Sequence, residues 1–196
     1  MKKSWIIIIA VVVGIFFIGS YFVGKYNSMV VGNEVVNEKW AQVENVYQRR
    51  ADLIPNLVAT VKGYAAHEKE ALIGVVEARA KATSTTINAD NMNPAALQKF
   101  QSAQSGLSSA LSKLMVVVEK YPDLKANQNF LELQAQLEGT ENRIAVERKR
   151  FNEAARDYNL SIRVFPNNLM AGMYGFEKKA YFEAEEASKT APKVEF

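Results

Sequence analysis

The stretch RRADLIPNLVATVKGYAAHEKEAL, residues 49–72, contains the residue types that could form a reactive site. His67 is the only histidine of the chain, and Glu68 follows it directly. An imidazole and a carboxylate could act as the acid–base groups of an envelope-associated hydrolase. On a helix, however, adjacent side chains point about 100° apart and do not converge on one substrate atom. We therefore expect His67 to be a helix residue with local hydrogen bonds, and the hydrolase is the alternative.

Other catalytic or metal-binding motifs are not found in the sequence. The second histidine that an HExxH zinc site needs is missing, and the chain has no cysteine. The serines of residues 102–113 fall mostly on the polar side of a helical pattern and lie outside any GxSxG motif. We predict a protein that is not an enzyme, with no catalytic residue, cofactor, metal or small-molecule substrate.

The charge balance does not indicate nucleic-acid binding. Lys2 and Lys3 precede the first apolar segment, and removing them from the 24 basic residues leaves 22, against 21 acidic residues. The clusters at 49–50 and 148–150 alternate with glutamates, which is typical of solvated or ion-paired helix faces. No nucleic-acid partner is predicted.

Residues 5–23 read WIIIIAVVVGIFFIGSYFV and contain no charge. At a rise of about 1.5 Å per residue, such a helix is roughly 28 Å long, close to the thickness of the bilayer hydrocarbon. Trp5 and Tyr21 suit the two interfaces. The segment predicts a retained transmembrane helix after a short polar N-terminus, residues 1–4. A cleaved signal peptide is the alternative, but no clear small-x-small cleavage site follows.

The anchor predicts a single-pass protein of the bacterial cytoplasmic (inner) membrane, with the lipid bilayer as one partner. Lys2 and Lys3 favour a cytoplasmic N-terminus and an extracytoplasmic C-terminal domain. Lys25 and Lys39 follow the span and weaken this argument. A cytoplasmic domain is the alternative.

Beyond the anchor, apolar residues recur at steps of three and four, which predicts long amphipathic helices of the coiled-coil kind. Turn-forming stretches at 83–94, 121–129 and 165–168 separate four helical segments. Asn93 and Pro94 form a typical helix start. The predicted fold is all-α: the N-terminal transmembrane helix, then an elongated antiparallel four-helix bundle, up-down-up-down, over residues 24–188, and a tail at 189–196.

Pro55 lies inside the first apolar stripe. A proline lacks the amide hydrogen and crowds the preceding turn, so it kinks a helix or begins a new one. No glycine adjoins it for a tight reversal. We expect one long bent helix over residues 33–82, and a full hairpin at Pro55 is the alternative.

Arg50, Glu68 and Arg148 fall on otherwise apolar faces, where a lone charge would be costly to bury. Arg50 and Glu68 are 18 residues apart, roughly 27 Å on one helix, and cannot pair with each other. We expect Glu68 to pair with Arg148, and Arg50 to bond to a backbone carbonyl or a carboxylate near the membrane. A polar groove for a partner is the alternative interpretation.

The end of the domain is rich in aromatic residues. Such a cluster closes a core or, if exposed, forms an adhesive patch for self-association or a partner helix. The structural or interaction candidates in this region are Phe165, Pro166, Asn168, Tyr174 and Phe176.

Several motifs together resemble the LemA family. They appear in the family's order across nearly the whole region after the anchor: YNSMV (26–30), RRADLIPNLVATVKGYAAHE (49–68), EAR (77–79), YPDLKAN (121–127), YN (158–159), FPNNLMAGMYGF (165–176) and YFE (181–183). The resemblance implies one N-terminal membrane helix and an elongated, antiparallel helical domain. It implies no catalytic residue. It also implies a short N-terminus on the extracytoplasmic side of the membrane, whereas Lys2 and Lys3 favour a cytoplasmic N-terminus.

These observations favour a membrane-anchored helical scaffold or adaptor without enzymatic activity. We expect it to self-associate as a homo-oligomer or to hold an envelope protein near the bilayer. The alternative is the hydrolase that uses His67 and Glu68.

Overall fold

The computed structural model describes residues 3–88 and 92–183, and every regular element in these ranges is an α-helix. The helices are α1 (Lys3–Tyr64), α2 (Lys69–Ser84), α3 (Pro94–Val118), α4 (Pro122–Lys125), α5 (Gln128–Ser161) and α6 (Asn167–Tyr174). The predicted all-α class is confirmed. The predicted tail at 189–196 and the first two residues of the polar N-terminus lie outside the described residues.

Helix α1 is both the transmembrane helix and the first helix of the domain. Its 62 residues correspond to a rod of about 93 Å. Among the described residues it is the one helix long and apolar enough to cross a membrane, and none of its apolar window packs inside the protein. Burial begins at Met29, so the span continues into the domain within the same helix.

The domain is an up-down-up-down bundle of α1, α2, α3 and α5. Helix α5 runs antiparallel to α1, since Asn127 at its start donates to the Tyr64 hydroxyl and Tyr158 near its end lies against Gly32. A Cβ on Gly32 would be 3.3 Å from the Tyr158 ring, so glycine permits this close approach. Helix α3 runs parallel to α1, with Phe100 packed on Trp40.

As expected, the helix continues through Pro55 without a hairpin there. Its expected extent to residue 82 is wrong, because the chain reverses at residues 65–68. The turn is closed by the Glu68 amide, which donates to the Ala65 carbonyl (3.1 Å). Helix α2 then returns along α1, and Leu72 and Val75 join Val61 in one apolar cluster. In a continuous helix the apolar face of α2 would be exposed to water. The hydrophobic effect therefore favours the reversal, which buries this face against α1.

The predicted fourth helix after FPNN is also not present in the expected form. Only the eight-residue α6 follows, and Gly175 ends it in the left-handed conformation at φ +74°. The next residues, 176–183, pack without regular structure. The bundle still has four long helices, because α2 takes the place of the helix expected after residue 168.

Pro55 lies within α1 and its ring is exposed. Because proline has no amide hydrogen, the carbonyl of Ala51 has no partner from its own helix. Arg79 of α2 donates its Nε hydrogen to that carbonyl at 2.7 Å. The proline thus leaves the Ala51 carbonyl of α1 free to accept a hydrogen bond from Arg79. This bond fixes the register of α2 relative to α1.

The predicted start of α3 is confirmed. The Asn93 side chain accepts a hydrogen bond from the Ala96 amide at 2.9 Å, and Pro94 occupies the first turn. Asn127 caps α5 in the same way through the Phe130 amide. Each cap satisfies a backbone donor that the helix cannot pair itself.

The core consists of two apolar clusters arranged along the bundle. The membrane-proximal cluster surrounds Trp40, Phe151 and Phe182. The distal cluster surrounds Leu57, Leu114 and other aliphatic residues of α1 to α5.

The contact between Arg79 and the Ala51 carbonyl gives a first prediction. Arg79→Ala should lower the free energy of unfolding by about 1–3 kcal/mol, because a buried carbonyl loses its donor. In a Pro55→Ala background the new amide can donate to that carbonyl, so the same substitution should cost less. Urea unfolding in detergent measures all four proteins of the cycle. If the destabilisation by Arg79→Ala is the same with Pro55 and in the Pro55→Ala background, the effects are additive, and Arg79 does not compensate for the amide hydrogen that Pro55 lacks.

Candidate interaction surface

Arg50 is buried in the middle of the bundle, with 2% of its surface exposed. Its Nη1 donates to the Glu141 carboxylate of α5 (2.9 Å) and to the Ser108 hydroxyl of α3 (3.0 Å). Its Nη2 donates to the side-chain oxygen of Gln104 (2.7 Å), whose amide nitrogen donates to the Ala82 carbonyl of α2 (3.3 Å). One side chain of α1 therefore connects all four bundle helices.

These four side chains, Arg50, Gln104, Ser108 and Glu141, form what we call the Arg50 layer. It lies between the two apolar clusters: Tyr47 and Phe100 belong to the membrane-proximal cluster, and Ile54 and Leu107 to the distal one. Removing a guanidinium from water is costly unless its charge and its hydrogens are matched. The acceptors meet Arg50 only when the helices are in register, so the layer fixes that register.

The expected bond from Arg50 to a backbone carbonyl is present, because its Nη2 also donates to the Gln104 carbonyl (3.4 Å). The expectation of a carboxylate near the membrane is wrong, since Arg50 lies far from the span. It follows the apolar span by 27 residues, which places it about 40 Å along α1. Its carboxylate partner, Glu141, comes from the middle of α5 and is 57% exposed. The carboxylate thus keeps contact with water while it neutralises the buried cation.

The expected ion pair between Glu68 and Arg148 is also wrong, because the two residues lie at different levels of the bundle. Glu68 is at the distal turn and accepts a hydrogen bond from the Tyr121 hydroxyl (3.2 Å). Desolvation, with a further contribution from the Glu68 carboxylate, raises the pKa of Tyr121. Arg148 lies over the Phe182 ring (4.7 Å) and donates to the Glu183 carbonyl (3.0 Å).

His67 is not a helix residue. It lies exposed in the 65–68 turn, about 60 Å along α1 from the end of the apolar span. Within residues 3–88 and 92–183, no group of three acidic, histidine or cysteine side chains is placed to hold a metal ion.

The extended segment 176–183 is held by two asparagines of α5. Asn159 donates to the Lys179 carbonyl (2.9 Å) and accepts from its amide (2.8 Å). Asn152 makes the same pair of bonds with Phe182 at 2.9 Å each. The two asparagines are seven residues apart and share a helix face. The Phe182 ring is thereby inserted beside Trp40, at 5.9 Å between ring centroids.

The aromatic candidates divide between two environments at the membrane-proximal end. Tyr174 and Phe176 contact Tyr26 of α1, with ring centroids 4.9 and 5.7 Å apart. Phe165, which precedes a cis bond to Pro166, is 81% exposed. Asn168 is exposed on α6, and its amide donates to the Val164 carbonyl (3.0 Å).

A polar groove of about 1010 Å³ runs between α1 and α5 at the height of the Arg50 layer. Its walls are amides, arginines and a few aliphatic side chains. The lining residues on α1 are Gln42, Asn45, Val46, Gln48, Arg49, Asp52 and Leu53, and those on α5 are Gly139, Asn142, Arg143, Val146, Glu147 and Arg150. We call this surface the α1–α5 groove.

The groove presents positive charge. Glu147 is paired with Arg150 (2.7 Å), and Asp52 accepts from Gln48 (2.7 Å). Arg49 and Arg143 are exposed on opposite walls, and no carboxylate of the described residues lies within ion-pairing distance of either. Two guanidinium groups are therefore available to carboxylates of another molecule.

Sequence reasoning missed most of the partners in these contacts. Gln104, Ser108 and Glu141 are 54 to 91 residues from Arg50, and no local pattern connects them to it. Asn152 and Asn159 gave only a weak signal, because arginine and lysine residues surround them on the same helix face and polar side chains are ordinary there.

Together the fold and the groove define the class of protein. It is an all-α bundle whose first helix is also a transmembrane helix, and it has a groove with exposed polar side chains. The sequence profile of the LemA family matches residues 39–196, and the chain belongs to the LemA family. The resemblance read from the sequence is confirmed.

Individual relatives agree with this family. The magnetosome proteins MamQ 1 and MamQ 2 of Paramagnetospirillum magneticum are each 28% identical to this chain over 187 residues. The match covers 85% of this chain and 67% of each relative. Protein LemA of Metamycoplasma hominis is 24% identical over 188 residues, which cover 96% of this chain and 81% of the relative.

The Arg50 layer gives the second prediction. Arg50→Ala should lower the free energy of unfolding by about 2–5 kcal/mol, because truncation of a buried side chain leaves a cavity and the buried Gln104 oxygen loses its donor. An apolar layer, Arg50→Met with Gln104→Leu and Ser108→Ala, should recover most of this loss, because buried ion pairs are often replaceable by hydrophobic packing. Urea unfolding in detergent measures both variants.

The neighbouring Arg49→Ala provides the matched control and should change stability by less than about 0.5 kcal/mol, as for other exposed positions. An Arg50→Ala protein as stable as this control would show that the layer does not hold the bundle together.

Proposed function

We propose that this LemA family chain is a membrane-anchored scaffold, and that it holds a partner protein in the α1–α5 groove above the bacterial cytoplasmic membrane. The supporting observation is the pair Arg49 and Arg143, which face the same open groove from two helices without an ionic partner. Two parallel walls of side chains suit a third helix, which is a common mode of recognition between helical proteins.

The chemistry of the groove specifies the partner segment. Guanidinium groups bind carboxylates in a fork geometry, so the partner helix should carry Asp or Glu near both arginines. Val46 and Val146 provide a small apolar contact between the charges. We infer an amphipathic, acidic helix of an envelope protein or of a second copy of this chain.

A scaffold role also agrees with the names of the relatives. The MamQ proteins are named for the magnetosome rather than for a reaction. The hydrolase alternative has less support, because the Glu68 carboxylate is engaged by the Tyr121 hydroxyl. For the orientation we retain the extracytoplasmic domain as the proposal, from the lysines that precede the span.

Photocrosslinking in the native membrane tests the groove. A photoreactive amino acid at Asn142 should give a defined adduct, and Arg49→Glu with Arg143→Glu should abolish it, because the reversed charges repel an acidic partner. The matched control is Lys99→Glu with Lys113→Glu, which makes the same charge change on exposed positions of α3. The control should leave the adduct unchanged.

The mass of the adduct identifies the kind of partner. An adduct of two identical chains would indicate self-association, and a different mass would indicate another protein. No adduct at Asn142, or equal loss in the groove and control variants, would contradict binding in the groove.

A further inference from the structure

Helix α6 and the turn before it expose a stripe of large apolar side chains. Phe165, Leu169 and Met173, at steps of four residues, are 81%, 61% and 80% exposed. Asn167 and Met170, in contrast, are buried against the bundle. Leu160, near the end of α5, and Val164, in the turn before α6, are also exposed. So many large apolar side chains are unusual on a surface that faces only water.

The height of α6 relative to the bilayer follows from its contacts with α1. At its start, the Asn167 amide donates to the Ser161 carbonyl (2.8 Å), and Ser161 lies beside Gly32. At its end, the Tyr174 ring packs on Tyr26. Gly32 and Tyr26 are nine and three residues past the apolar span, which corresponds to about 14 and 5 Å along α1.

The headgroup layer of each leaflet is about 5–8 Å thick. The end of α6 therefore lies at the depth of the headgroups. Transmembrane helices are usually tilted by about 20°, and a tilt of α1 toward α6 would bring the rest of the stripe closer to the bilayer surface. Among the described residues, Tyr174 and Phe176 make the ring contacts with α1 that lie nearest to the span.

The end of α6 also lies close to the exposed end of the apolar span. Tyr21, Phe22 and Val23 are exposed at the end of the span, and Tyr26 connects them to Tyr174. Aromatic side chains at this depth prefer the membrane interface. From this proximity we propose that α6 docks on the bilayer through the C-terminal end of the stripe, with Met173 inserted toward the boundary between headgroups and acyl chains and with Leu169 and Phe165 nearer the outer surface of the headgroups.

Apolar insertion rather than charge supports this contact. Lys25, Arg163 and Lys178 are at the same end of the domain, but Glu34 and Glu177 offset most of their charge. Interfacial helices bury their apolar face by about 5–10 Å at this boundary. The docking would give the domain a second membrane contact beside α1 and restrict its rotation about that helix. It does not depend on the occupant of the α1–α5 groove.

The chain has no cysteine, so single labels can be placed on the full-length protein. Met173→Cys and Leu169→Cys are labelled with the fluorophore NBD and reconstituted in vesicles of phosphatidylcholine and phosphatidylglycerol. His67→Cys, exposed at the distal turn, is the matched control. We expect blue-shifted emission at 173 and 169, and quenching by a lipid that carries a nitroxide near its headgroup. The label at 67 should show neither effect.

Emission at 173 that is unshifted and unquenched would overturn the proposal. A blue shift that lipid nitroxides do not quench, and that grows with the protein-to-lipid ratio, would assign the patch to a second copy of the chain and also overturn it. In a further variant, Phe165→Ser with Leu169→Ser should reduce the quenching at 173. The emission at 67 and the thermal unfolding should stay unchanged, because both substituted side chains are exposed.

Discussion

A single buried cation determines how the four bundle helices fit together. Glu141 neutralises Arg50, and Glu141, Gln104 and Ser108 accept hydrogens from its two terminal nitrogens, whereas its Nε has no partner among the described residues. A shift of any helix by one turn, about 5 Å, would leave a charge or a polar group unmatched in an apolar interior. Apolar contacts are non-directional, whereas the hydrogen bonds of this layer require particular distances and angles. The contact of Arg79 with the Ala51 carbonyl adds a second register constraint between α1 and α2.

The register of the bundle in turn sets the heights of its surfaces above the bilayer. Helix α1 passes from the apolar span into the core as one helix, so positions along it measure distance from the membrane. Tyr26 holds the end of α6 about 5 Å beyond the span, and Arg49 places the α1–α5 groove about 39 Å beyond it. A scaffold with a fixed rod of this kind can present a binding surface at a defined distance from lipid.

The sequence predicted the elements that depend on local patterns. Apolar runs and steps of three and four residues identified the span and the long helices, and Asn93 with Pro94 identified the start of α3. The reversal at residues 65–68 was missed because Ala65, Ala66 and Glu68 are good helix formers. The sequence left a bend or a hairpin open at Pro55, and the helix continues there. The contact of Arg79 with the Ala51 carbonyl could not be predicted, because it comes from another helix. The pairing of Arg50 depends on residues far along the chain, and a single sequence does not show such contacts.

One uninterrupted helix, α1, joins the domain to the membrane. Hydrogen exchange of the backbone amides between Gly24 and Glu34 tests this connection, with the full-length protein in lipid nanodiscs. We predict slow exchange throughout this stretch, as slow as in the span before it and at Val36 after it. Rapid exchange at residues 24–32, with a protected domain beyond, would mean that a flexible linker joins span and bundle. The heights assigned to the groove and to α6 would then be contradicted.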